Sequence, residues 1–390
     1  MNTLKLRASY GTVGNQGIGA YDTLGQLDLR RYNFGSDNVL GTYPIRAANA
    51  TLGWENTSSL NFGLDYGVLD NRISGSIEFY KQFTDHILLD QTLPATSGIP
   101  LPVRNNIGKT ENTGVELNIS SVNLKGGENG GFSWSTDLNI FLNRGKITEL
   151  ASGVTQDISN SWFVGHPIGT FFNYKRVGIW QNTPEDIAQA EELGLTVTGT
   201  NSVIGTVRVA DANGDGRINL DDRVILGSRQ PKFEGGFTNR FAYKNFDLSI
   251  VTYFKVGGLM KSGIHGGWMN TLQGIYNNLD LPYWTPDNME NYWPKPNSAL
   301  QNPEFKSTLD LMDASYLKIR NINLGYTLPK AALANLGVKS AHVYTTVSNP
   351  FVFFSEYKNK FGGLDPETNN AIDINTPPLW SLLFGVNVTF

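Results

Sequence analysis

The chain has 390 residues, a formal net charge of −4 and no cysteine. That balance excludes a broad basic surface for nucleic acid, and the missing cysteines exclude disulfides and thiolate metal sites. Charged residues make up 17% and aromatics 12%, with 42 glycines, whereas about a quarter of an ordinary soluble chain is charged. Many strands with glycine turns and aromatic girdles would give such a profile. No run reaches the roughly 18 consecutive apolar residues of a membrane helix, but a barrel strand needs only alternate apolar positions.

Period-2 alternation begins with Leu60, Phe62, Leu64, Tyr66 and Val68, set against Asn61, Gly63, Asp65 and Gly67. After a turn at Asp70-Asn71, Ile73, Ile77 and Phe79 alternate with Ser74, Ser76 and Glu78. Val115, Leu117 and Ile119 follow, then Phe132, Trp134, Leu138, Ile140 and Leu142 against serine, aspartate and asparagine. Next come Phe246, Leu248, Ile250 and Phe254, then Ile322, Leu324, Tyr326 and Leu328. The last run spans Trp380 to Phe390 and has Leu382, Phe384, Val386, Val388 and Phe390 on one face. Such alternation predicts half-buried antiparallel strands.

The connections alternate in length. Short ones are expected near 69–71, 124–130, 244–246 and 329–340; long ones occupy about 86–111, 145–231, 257–314 and 354–378. Counted back from the end, every short connection falls on one side, as in outer-membrane barrels. The uniformly small, polar second face suits a watery lumen. The expected fold is therefore all-β: an antiparallel transmembrane β-barrel with long extracellular loops. A flat apolar edge strand at the end of a soluble protein would invite aggregation, and barrel closure removes that edge.

One short helix is expected within the longest loop. Thr183 caps it, Pro184 takes its first position, Glu185 and Asp186 suit its positive end, and Gly194 terminates it. Downstream, within 201–231, residues 211–222 read Asp-Ala-Asn-Gly-Asp-Gly-Arg-Ile-Asn-Leu-Asp-Asp. Asp211, Asn213 and Asp215 supply oxygens at positions 1, 3 and 5, the Arg217 carbonyl at 7, and Asp222 at 12, which is the spacing of a calcium loop. Aspartate at 12 resembles dockerin loops more than sensor EF-hands. The expected cofactor is Ca2+, in a structural role.

Catalytic motifs are missing: no Gly-x-Ser-x-Gly, His-Glu-x-x-His, Walker or Cys-x-x-Cys pattern occurs. His86, His166, His265 and His342 are scattered singly. The loops do gather aromatics: Trp162, Phe163, Trp268, Tyr276, Tyr283, Trp284, Tyr292 and Trp293. Their faces could stack on sugars or receive a partner protein, and packing of loop on loop is the equal alternative. The expectation is a non-enzymatic protein.

With these residues in view, the chain resembles the SusC/RagA family of TonB-dependent outer-membrane importers. The matching stretches are Leu4–Gln16, Thr110–Ile119, Asp211–Asp247, Tyr283–Asn288 (YWTPDN), Ser315–Pro329 (SYLKIRNINLGYTLP) and the closing strand. The resemblance implies a barrel of about 22 strands around a plug. It implies that a SusD-like lipoprotein lids the mouth and delivers glycan or peptide, and that TonB–ExbB–ExbD energises import. Phe384, Val386, Val388 and Phe390 would be read by the barrel-assembly machinery, and Trp162, Phe163, Trp268, Tyr276, Tyr283, Trp284 and Trp293 become candidate ligand or lid contacts. Met1 to Arg7 lacks the apolar core of a signal peptide. Residues 1–390 are accordingly expected to be the C-terminal part of a longer cell-outer-membrane protein, about half the barrel without the plug. The alternatives are a secreted, calcium-stabilised protein that binds carbohydrate, and a siderophore receptor of the same barrel type.

Overall fold

The computed structural model describes residues 1–127, 130–151, 153–266, 280–296, 305–334, 337–368 and 378–390. Ten strands form one antiparallel sheet in chain order: β1 Thr3–Asn15, β2 Glu55–Val68, β3 Ile73–Gln91, β4 Val103–Leu124, β5 Ser133–Glu149. They continue as β6 Phe233–Tyr243, β7 Phe246–Val256, β8 Tyr316–Thr327, β9 Ser340–Phe353 and β10 Ser381–Thr389. Each pairs only with its neighbours in this order, so β1 and β10 are the two edges of the sheet. No helix among the described residues is long and apolar enough to cross a membrane, which says nothing about crossing by strands.

The expected parity of the connections is present except at 92–102, which is no longer than the 328–339 link at the opposite end. Short links at 69–72, 125–132, 244–245 and 328–339 lie at one end of the sheet, and 16–54, 92–102, 150–232, 257–315 and 354–380 lie at the other. The loop expected over 86–111 is smaller than that, because β3 runs on to Gln91 and β4 restarts at Val103. Their added residues gain ladder hydrogen bonds despite register shifts around Ile87.

Residues opposite one another in a ladder share a face. Leu6, Leu64, Ile77, Leu117 and Ile140 therefore form one apolar row across five strands. Ile250, Ile322, Val347 and Leu382 form another. Among the described residues no second layer covers this face: Leu6 is 81%, Phe62 49%, Ile77 42% and Leu324 45% exposed, and Leu64, Leu117, Ile140 and Ile250 are half-buried. Phe132 and Trp134 stack on Phe241 at the short-turn end, where Phe246 packs on Tyr326. At the loop end stand Phe351, Phe353 and the exposed Trp380. An apolar band between aromatic girdles is the lipid-facing pattern of a membrane barrel.

The opposite face is polar and bonded strand to strand. Arg7 reaches Asp65 and Glu78 at 2.8 and 2.7 Å. Ser120 donates to Asp137 at 2.7 Å, and Asn323 links Ser249 to Thr346 at 3.1 and 2.7 Å. Tyr80 lies across Gly114 to reach Asn143 at 3.0 Å, and a Cβ at Gly114 would sit 2.1 Å from its ring.

The hydrophobic core lies elsewhere. Described residues of the 150–232, 257–315 and 354–380 connections come together in a cap with a buried cluster that includes Ile179, Trp180, Val207, Met260, Trp284, Trp293, Leu309, Tyr357 and Phe361. The expected helix forms over Pro184–Glu192, with the Thr183 side chain accepting from the Asp186 N–H and Gly194 at φ +70°. Ala190, on its inner side, is fully buried.

Candidate functional site

Three features of this frame bear on function: the calcium-type loop, the loop aromatics and the polar face of the sheet. The 211–222 segment closes as its spacing demands. Both carboxylate oxygens of Asp211 accept backbone N–H groups, from Gly214 at 2.7 Å and Gly216 at 2.8 Å, and Asn213 and Asp215 cap the next turns. Gly214 and Gly216 take φ of +74° and +77°, which side chains with a Cβ rarely adopt. Asp222 is fully buried and accepts from the Ala212 and Asn219 N–H groups at 2.9 and 2.7 Å. Burial pushes its carboxyl up, but the N–H groups of Asn219, Ala212 and Asn213 outweigh that and hold it below the usual carboxylate range.

The donor set is all oxygen, which suits a hard cation. These hydrogen bonds each use one lone pair of an oxygen and leave another. Among the described residues, however, no three His, Cys, Asp or Glu side chains converge where a metal would sit. The loop is held by its own backbone.

The aromatics divide. Trp284 is 6% and Trp293 3% exposed. The Trp284 Nε1–H donates to Gln181 at 2.8 Å, and the Trp293 ring stacks on His265 at 5.5 Å. Phe163 is 5% exposed and packs on Phe172 at 5.0 Å. These three pack in the loop interior and present little surface. The alternative of loop-on-loop packing holds for them, because an indole ring loses more by facing water than a loop gains by displaying it. Tyr283 stays 38% exposed and Trp162 is half-buried. Trp268 and Tyr276 lie outside the described residues.

Sequence reasoning treated His265 as a lone loop residue, yet it is fully buried at the centre of the cap. Its Nε2 lies 2.8 Å from the Phe361 carbonyl, which can only accept, so Nε2 carries the hydrogen and Nδ1 accepts from Ser262 Oγ at 2.6 Å. Burial pushes its imidazole below the ordinary histidine range. An ionic cluster of Arg320, Asp365 and Glu367 around the buried Lys318, joining β8 to the last loop, was also missed.

Among the described residues, several cavities are lined by polar side chains. One of about 530 Å³ lies at the base of the cap between Asn160, Phe171, Asn173, Arg229, Lys261 and Asp310. A second of about 440 Å³ lies along the sheet between Ser120, Asp137, Asn139, Thr238, Tyr253 and Arg320. Phe384, Val386 and Val388 of β10 share the apolar face, opposite Thr345, Val343 and Ala341.

No family model matches the chain. It is 32% identical to the TonB-dependent receptor P3 of Formosa agariphila, covering 96% of this chain and 37% of that protein. It is 28% identical to the TonB-dependent receptor SusC of Bacteroides thetaiotaomicron over all of this chain and 38% of that protein. Its fold superposes on the RagAB peptide importer in its open-open state with a TM-score of 0.75 and 26% identity, over 99% of this chain and 40% of that one. The chain thus spans well under half the length of the proteins it matches, all of them named as receptors or transporters and none as an enzyme. Sequence likeness and shared sheet architecture together mark this chain as similar to part of a TonB-dependent transporter of the SusC/RagA type.

Proposed function

We propose that the protein is part of an outer-membrane importer of oligosaccharide or peptide nutrients, in which the sheet is a sector of barrel wall and the cap rises outside the cell. The observation that carries this reading is the exposed apolar face, with Phe62, Ile77 and Leu324 open while the other face is laced with polar bonds. Passage would run along the polar face, past the cavities of about 530 and 440 Å³. A SusD-like lipoprotein would seat on the cap, and TonB–ExbB–ExbD would act through a plug. The apolar face of β10 would be the assembly signal.

Import is tested by deleting the gene and measuring growth on single glycans and on peptides. Growth lost on one cargo class and restored by complementation supports the reading, and undiminished growth on every class opposes it. Co-purification of a lipoprotein tests the lid. We also propose that the 211–222 loop takes Ca2+ as a structural ion, on the strength of its all-oxygen donors and buried Asp222. Calorimetric titration with Ca2+ after chelation tests this. The secreted carbohydrate-binding alternative loses support, since Phe163, Trp284 and Trp293 offer little surface for stacking.

A further inference from the structure

Lys318 faces the wrong way for its place in the sequence. On β8, Ile322, Leu324 and Tyr326 put even-numbered positions on the apolar face, and plain alternation would put Lys318 there too. The register shifts between Ile319 and Asn321, which pair with Thr252 and Val251 on β7 and leave Arg320 as the extra residue. One extra residue reverses which side the following positions face. Lys318 and Arg320 thereby turn to the polar side, opposite Tyr253, whose ring lies 4.1 Å from the Arg320 guanidinium.

There the lysine finds two acids from the last loop. Lys318 is 1% exposed, and its Nζ donates to Asp365 and Glu367, both at 2.6 Å. Arg320 donates to the second oxygen of Glu367 through Nε at 2.9 Å and Nη2 at 2.5 Å. Two cations meet two carboxylates, so the charge is balanced, with Lys318 and Asp365 buried and the Arg320 side chain open to solvent. The buried Lys318–Asp365 pair adds little net stability, but removing Lys318 strands the Asp365 carboxylate without solvent.

The same loop is anchored at its other end in the cap. Tyr357 and Phe361 are buried in the cap core, and the Phe361 carbonyl accepts from His265. Between the anchors the chain turns closely on itself: Gly362 sits at φ +68°, and a Cβ on Gly363 would lie 2.3 Å from the Tyr357 ring.

The geometry points to a strap. Residues 355–368 fasten the cap to the barrel wall, and Lys318 is the positioning residue that holds the strap on the polar face. Cap and wall then move as one body, and this side of the passage has a fixed bore. The functional sense rests on the reading of the polar face as a passage; the fastening itself does not.

The chain has no cysteine, so spin labels can be placed cleanly at Lys358→Cys on the strap and Thr327→Cys at the far end of β8. Pulsed electron spin distance measurement on the protein in detergent gives a single narrow distance if the strap is fastened. Lys318→Met, or Asp365→Asn should the first variant fail to fold, is expected to lose that single peak while the β-sheet circular dichroism stays at the parent level. A single narrow peak surviving in the folded variant overturns the proposal. Failure of the import reading would show as undiminished growth of the deletion strain and would leave the distance peak where it is.

Discussion

Sheet and cap arrange the same residue types in opposite ways. In the sheet, phenylalanine, leucine and isoleucine point outward, with Phe62 at 49% and Leu324 at 45% exposure. In the cap they point inward, with Trp293 at 3% and Ile179 at 1%. Burying an aromatic side chain from water is worth a few kcal/mol, and no soluble fold would forgo that gain along ten strands. The two regions therefore read as built for two solvents, lipid around the sheet and water around the cap. The strap from Ser355 to Thr368 is where they are tied together.

The largest expected effect breaks the cap alone. Trp293→Ala empties the site beside His265 and Phe361 and should cost the cap about 3–5 kcal/mol. Thermal unfolding followed by near-ultraviolet circular dichroism should show it, with the far-ultraviolet β signal unmoved. Next, Leu324→Arg places a charge on the outer face of β8. In a bilayer it should cost about 2–4 kcal/mol near the midplane, whereas on a water-exposed face the change would stay within about 0.5 kcal/mol. Urea unfolding in lipid vesicles separates these outcomes.

A smaller effect concerns the 211–222 loop. If it takes Ca2+, ion at tenfold its dissociation constant stabilises the cap by about 1.4 kcal/mol, and a chelator should lower the cap melting temperature accordingly. Asp222→Asn should abolish that response; an unchanged melting temperature on chelation in the parent protein would count against the ion. The smallest is a pH effect. Burial holds the His265 imidazole neutral in the folded cap, while an unfolded histidine takes a proton below about pH 6.5. Stability is therefore complete above that pH and declines as pH falls below it. Melting at pH 7.5 and 5.5 should show the decline in the parent protein and a flatter profile in His265→Gln.

Much of the sheet was legible because side chains on a strand repeat every two residues, and the runs ending in Val68, Ile119, Leu142 and Phe390 kept that rhythm. β1, β6 and β9 did not stand out. Ala8 and Gly11 dilute the first, Gly235-Gly236 and Arg240 the second, and Thr345, Ser348 and Asn349-Pro350 the third. Ladder bonds to stronger neighbours complete them. The cap was not legible, since Trp180, Trp293 and Phe361 come from three separate connections and meet only in space. The aromatics looked like a contact surface for the same reason. Lys318 was hidden by a bulge, which changes facing without changing composition.

Neighbouring positions on β8 offer the most direct test that the sheet has a lipid side and a water side. Single spin labels at Leu324→Cys and Asn323→Cys, in protein reconstituted into vesicles, report collision with oxygen, which concentrates in lipid, and with a water-soluble nickel chelate. The account predicts that the Leu324 label meets oxygen and escapes nickel, while the Asn323 label does the reverse. Equal access of nickel to both labels, or shelter of the Leu324 label from both reagents, would contradict it.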